Sequence, residues 1–129
     1  MSRQIIETKT APAAIGPYSQ AVKANGLLFI SGQIPANPKT GELAGRSPRE
    51  QTEQCIANLE NILKAAGCGI ADVVKTSVFL TDLSDFAEMN EVYAKHFVSE
   101  MPARVCVEVS RLPRGAQVEI EAVAVCTAP

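Results

Sequence analysis

The sequence has no tryptophan, and aromatic residues make up only 5% of it, so stacking platforms for unpaired bases are thinly supplied. Its 12 basic residues do not outnumber its 14 acidic ones, and they are scattered, which leaves no electrostatic footprint for nucleic acid. His96 is the single histidine, and Cys55, Cys68, Cys106 and Cys126 form no CxxC pair. Metal-ligand spacing is therefore missing, and neither a structural zinc nor another resident metal is expected. The N-terminal residues lack the apolar core of a signal peptide, and no apolar run approaches the length of a membrane span. A soluble, cytoplasmic protein with free thiols and no membrane partner is expected. Neither internal repeats nor low-complexity segments are found.

What is present suits one domain over residues 1–129, with 47% hydrophobic and 20% charged residues, enough for a sizeable core. A short strand is expected from Arg3 to Thr8, then an irregular segment through Pro12, Gly16 and Pro17. Tyr18 to Lys23 reads as a second strand, and Asn25-Gly26 as a hairpin turn into Leu27–Gln33. Gly32, near the end of that strand, leaves room for a ligand or another backbone. Ser47-Pro48-Arg49-Glu50 is a capping box with proline at the first helical position. The helix it opens carries Ile56, Leu59, Ile62 and Leu63 on one stripe and runs to about Ala66, where Gly67 stops it. Gly67-Cys68-Gly69 lacks the lysine of a phosphate loop. Val73 to Thr81 is a strand rich in β-branched residues. Asp82 to Asp85 supplies caps for a second helix bearing Phe86, Met89, Val92, Tyr93 and Phe97 at helical spacing. Asn90 and His96 share that helix, and His96 reads as a solvated or packed side chain.

Two strands close the chain. Val105, Val107 and Val109 alternate with Arg104, Cys106 and Glu108, and Val118, Ile120 and Ala122 alternate with Glu119 and Glu121. From Ala122 to Val125 every residue is apolar, which predicts burial on both faces. With Pro113 and Gly115 between them, the strands are expected to pair as an antiparallel hairpin. A guanidinium on such a strand matches a carboxylate bidentately. One reading is an internal salt bridge from Arg104 to Glu119 or Glu121. The hairpin register speaks against it, because Arg104 then falls opposite Val123, about four residues or ~13 Å from Glu119. A ligand or a second subunit would have to lie between them.

The expected fold is α+β, a single mixed β-sheet in the order β-β-β-α-β-α-β-β with two helices on one face. The other face carries Phe79 and several valines, too apolar to leave in water. A closed homo-oligomer packing sheet against sheet would cover it and place polar strand ends in clefts between subunits.

Ala14 to Gln20, Ile30-Ser31-Gly32-Gln33-Ile34-Pro35, Pro102-Ala103-Arg104, Cys106 to Val109, and Leu112-Pro113 followed by Val118 to Ala122 together resemble the reactive intermediate deaminase family, RidA, also called YjgF and endoribonuclease L-PSP-like. The resemblance covers essentially the whole chain. It departs at Val105, where many members have serine or threonine, and in a short connection before Pro102. It implies a chorismate-mutase-like homotrimer that hydrolyses reactive enamine and imine acids at interfacial clefts. The substrates would be 2-aminoacrylate, its tautomer 2-iminopropanoate, and 2-iminobutanoate, and the products 2-keto acids and ammonia, with no cofactor. Arg104 would clamp the substrate carboxylate, and Glu119 would deprotonate water and return a proton to the leaving nitrogen. Tyr18, Ser31 and Asn90 would line the cleft, with Tyr18 joining Arg104 and Glu119 as a catalytic residue, and Gly32 and Cys106 would contribute mainly backbone contacts. Without a histidine nearby, Cys106 is not expected to be a nucleophile. Two other classes remain at this point: an endoribonuclease that inhibits translation, and a keto-acid-binding or chaperone-like module without turnover.

Overall fold

The computed structural model describes residues 2–128. Its strands are β1 (Arg3–Ile6), β2 (Ala21–Ala24), β3 (Leu27–Gln33), β4 (Val73–Leu80), β5 (Ala103–Glu108) and β6 (Val118–Val125). Two helices, α1 (Pro48–Ala65) and α2 (Phe86–His96), complete an α+β fold with one mixed sheet in the order β1-β2-β3-β6-β4-β5.

Local chemistry explains the boundaries. Asn25 and Gly26 take φ of 54° and 77°, the left-handed pair a two-residue hairpin needs, and bring β2 back against β3. Ser47 caps α1: its Oγ accepts from the Glu50 N–H at 3.1 Å and donates to the Glu50 carboxylate at 3.0 Å. The helix ends in a Schellman motif, with the Cys68 N–H bonded to the Leu63 carbonyl and the Gly67 N–H to that of Lys64. The expected stripe is the buried one. Ile56, Leu59, Ile62 and Leu63 are at most 1% exposed, each contributing about 1.5–3 kcal/mol of apolar burial. They pack on Leu28, Ile30, Val78, Leu80, Val118, Ile120 and Ala124 from the covered sheet face. Across the helix pair, Arg49 bonds Glu91 and His96 meets Glu53, a partner for His96 that spacing alone did not reveal.

Three expectations are corrected. The second strand begins at Ala21, leaving Tyr18 in irregular chain before it. The last two strands are not a hairpin, because β4 lies between them, parallel to β5 and antiparallel to β6. Pro113 and the left-handed Arg114 break any ladder after β5, and the chain between the strands is long enough to step over one neighbour at ~4.8 Å per strand spacing. Leu80 and Thr81 show the insertion: the Leu80 carbonyl bonds the Val109 N–H, and the Thr81 N–H bonds the Gln117 carbonyl. Finally, the all-apolar end of β6 is buried on one side only. Ala122 and Ala124 face the helices, while Val125 is 43% exposed on the open face with Phe29, Val105 and Val107.

Candidate functional site

Arg104 sits on the edge strand β5, level with Thr76 of β4. Its Nη1 donates to Asn90 Oδ1 at 2.6 Å, and its guanidinium carbon lies 4.8 Å from the Tyr93 ring centroid and 5.5 Å from that of Phe86. The helical offsets of Phe86, Asn90 and Tyr93 put all three on one face of α2, so a single helix supplies an aromatic bed and an amide stop. Cation–π contacts of this kind contribute about 0.5–2 kcal/mol each. Tyr93 is itself held, since its hydroxyl shares a hydrogen bond of 2.8 Å with the buried Thr76. Burial pushes the Tyr93 phenol up, against opposing effects from Thr76 and Arg104, which keeps it neutral. Among the described residues no carboxylate pairs with Arg104, so the internal bridge to Glu119 or Glu121 is not formed. Beside the guanidinium, Met101, Pro102 and Phe97 border a cavity of about 400 Å³.

Glu119 stands between Val118 and Ile120, both fully buried on the helix side, and therefore projects from the open face. Its carboxylate lies over Gly32, where an added Cβ would fall 2.0 Å from Oε2. Burial raises the Glu119 carboxyl above the ordinary carboxylate range, and Glu121 on the same face adds to the rise. Such a carboxylate is a stronger base than a solvated one. Ser31 donates its hydroxyl to the Ser19 carbonyl at 2.6 Å, pinning the bend of β3 to the chain carrying Tyr18. Tyr18 is half exposed, accepts a long hydrogen bond of 3.4 Å from the Ile15 N–H, and shares with Gly32 the wall of a cavity of about 410 Å³.

The named residues thus form two groups. Asn90, Arg104 and Cys106 make one, and Tyr18, Ser31, Gly32 and Glu119 the other. Within one chain these groups do not meet. Arg104 lies over the helix side, Glu119 points to the open side, and Glu119 is level with Phe79, three residues along β4 from the Thr76 that flanks Arg104. Cys106 packs its side chain against the core, and burial raises its thiol despite the opposing Arg104, so it stays protonated and unreactive. Sequence reasoning missed Gln20. Buried at 3% exposure, its amide accepts from the Thr8 N–H and donates toward the carbonyls of Thr8, Ala11 and Pro12, fastening the loop that carries Tyr18. It also missed Phe86 and Tyr93 as the bed of Arg104, although their spacing around Asn90 was a usable signal.

The model of the endoribonuclease L-PSP family matches residues 8–126. The chain belongs to this family, the RidA/YjgF family. It is 50% identical over 123 residues to the mouse 2-iminobutanoate/2-iminopropanoate deaminase, covering 95% of this chain and 91% of the relative. A RutC family protein of Pyrococcus horikoshii is 54% identical over 122 residues, covering 95% and 97%. Among solved structures, RidA from an Antarctic Psychrobacter superposes with a TM-score of 0.92 at 48% identity, covering 95% of this chain and 98% of that one. TdcF of E. coli with bound serine superposes at 0.91 and 46% identity, covering the same shares. Members of the family therefore carry deaminase, RutC and endoribonuclease names.

Proposed function

We propose that the protein hydrolyses 2-aminoacrylate, 2-iminopropanoate and 2-iminobutanoate to 2-keto acids and ammonia, in homotrimers whose clefts join the two groups from neighbouring chains. The observation that carries this reading is the separation itself. A preorganised, carboxylate-free Arg104 and a base-strengthened Glu119 lie on opposite sides of one sheet, and both are left without the partner their chemistry calls for. The open apolar face, with Phe29, Val105, Val107 and Val125, supports the same assembly, because a neighbouring copy would cover it. The edge strand β5 also has one side unpaired, a feature oligomers commonly close.

In this arrangement Arg104 holds the substrate carboxylate through its planar fork. Asn90 acts as a positioning residue, since its amide oxygen is already engaged by Nη1. Glu119 takes a proton from water as it attacks the carbon of the protonated imine, forming a tetrahedral amino alcohol, passes that proton to the nitrogen, and then takes up the hydroxyl proton as the C=O bond forms and ammonia departs. Tyr18, Ser31 and the Gly32 backbone border the substrate. The relative named for this reaction and the neighbour holding serine, an amino acid of matching size, support the choice of substrate.

The test couples a threonine dehydratase to threonine or serine and follows imine decay. Wild type accelerates decay, while Arg104→Ala loses roughly 10²–10³-fold, the range for removing a charge-assisted bidentate contact made in the transition state. Arg104→Lys falls nearly as far, because a point charge does not reproduce the fork. Inactive Arg104→Ala and Glu119→Gln chains, unfolded and refolded together in equal amounts, regain roughly a quarter of wild-type activity if each cleft draws one residue from each neighbour. Activity that fails to return on mixing would overturn the shared cleft, and equal decay with and without wild type would overturn hydrolysis. RNA cleavage that survives both substitutions would favour the endoribonuclease reading instead.

A further inference from the structure

The cavity of about 410 Å³ beside Gly32 and Tyr18 is larger than a three- or four-carbon imino acid requires, since volumes of ~300–1,000 Å³ ordinarily hold ligands of many more atoms. Ile15, Ile34, Pro113 and the Tyr18 ring give it apolar walls, and Arg114 is the one charged side chain among the described residues that line it. Arg114 takes φ 62° and ψ 19°, a left-handed conformation that a non-glycine residue adopts only at a cost, even though glycine follows next in the chain. Its Nη1 lies 3.8 Å from where a Cβ on Gly41, another lining residue, would stand, and among the described residues no acidic group pairs with it. An unpaired guanidinium on a strained backbone, in the lining of a mostly apolar slot, matches a ligand with a methylene chain ending in an anion.

We propose that this cavity is a side-chain subsite admitting 2-imino acids that carry a second, distal carboxylate, with Arg114 as the receptor of that carboxylate. The inference rests on the catalytic reading above, because Gly32, lying under Glu119, ties the cavity to the reacting centre. The first carboxylate stays on Arg104, the imine carbon stays at Glu119, and the substrate side chain runs along Ile15 and Pro113 to Arg114. A terminal methyl in the same place leaves the guanidinium unpaired, so chain length alone does not satisfy the slot.

Two keto-acid products of equal length separate charge from size. Calorimetric titration of the full-length protein with 2-oxoadipate and with 2-oxohexanoate should give about tenfold tighter binding of the diacid, the preference expected of one charge-assisted pair at a partly enclosed site. Arg114→Gln should bring the two affinities within about twofold of each other, and Arg114→Lys should keep part of the preference because the charge survives. Equal affinities in the wild type, or a diacid preference that persists in Arg114→Gln, overturn the subsite. Hydrolysis of 2-iminobutanoate by the same wild-type preparation reports the catalytic reading separately. A rate without diacid preference removes the subsite alone. A diacid preference without a rate keeps the subsite, as part of a keto-acid-binding site, and removes hydrolysis.

Discussion

The two halves of the candidate site are built in contrasting ways. Arg104 lies on two aromatic rings, is stopped by an amide, and rests on a helix whose own tyrosine is tied to a buried threonine. Glu119 has no such frame: it lies over bare backbone at Gly32, beside the like charge of Glu121, and burial works against its ionisation. A clamp gains from rigidity, since holding the guanidinium still leaves less entropy to lose when a carboxylate arrives. A base gains from discomfort, since a carboxylate stripped of water takes a proton more readily. Stability and chemistry are thus distributed unequally between the two sides of the sheet.

The largest effect is expected of Glu119→Gln, which should lower turnover of 2-iminopropanoate by about 10²–10⁴-fold, the usual worth of a positioned general base. The same change should stabilise the protein. Because the folded-state carboxyl is raised, the folded chain binds its proton more tightly than the unfolded chain does. Ionisation therefore costs stability, a cost that is absent below the unfolded carboxylate value and grows as pH rises through the folded one. Calorimetric scans should place Glu119→Gln above wild type at neutral pH and level with it in acid. A lower melting temperature at neutral pH would mean that the carboxylate is stabilised after all.

Gly32→Ala should come close behind in activity. The new Cβ would sit 2.0 Å from Glu119 Oε2 and 2.9 Å from its carboxyl carbon, so the side chain must swing away. Kinetics should place this variant within about tenfold of Glu119→Gln, and the double variant no lower than Glu119→Gln alone, as expected for two changes acting through one group. Additive losses would show that Gly32 acts on something other than Glu119.

Changes to the bed beneath Arg104, as distinct from Arg104 itself, should have smaller effects, seen in KM. Tyr93→Leu removes a ring from the bed of Arg104 and strands the Thr76 hydroxyl. KM should rise roughly threefold to tenfold with kcat less affected, and about 1–3 kcal/mol of stability should be lost. Tyr93→Phe should restore KM, because it keeps the ring, while retaining the penalty at Thr76. Identical KM values in the leucine and phenylalanine variants would make Tyr93 a packing residue only. Smallest of all, Cys106→Ala should keep most activity in the coupled assay, since its thiol is protonated and packed inward. A folded but inactive Cys106→Ala would restore the thiol to the chemistry.

Much of the scaffold was legible from local chemistry. The capping box at Ser47, the Asn25-Gly26 turn, the stop at Gly67 and the α1 stripe each depend on residues within a few positions of one another, so their geometry follows from nearby side chains and backbone. The resemblance also named the residues proposed for both halves. What could not be read was which strand lies beside which. The alternation of Arg104 to Val109 and of Val118 to Ala122 was correct, yet alternation tells which face a residue takes and never which neighbour it pairs with. The short Pro113-containing connection looked like a hairpin turn, while the buried stripe of Val78 and Leu80 competed successfully for the place between the two strands.

By itself, then, the sequence determined the order of the elements, both ends and the buried stripe of α1, and the presence of an arginine and a carboxylate on the last two strands. Only the tertiary structure decided that β4 separates those two groups, that Phe86, Asn90 and Tyr93 cradle the arginine, and that the cavity beside Gly32 ends at Arg114. The physical reason is range. Caps, turns and periodicity act over a few residues, whereas strand order and side-chain beds follow from packing between segments far apart in the chain, where many apolar faces compete for the same partners.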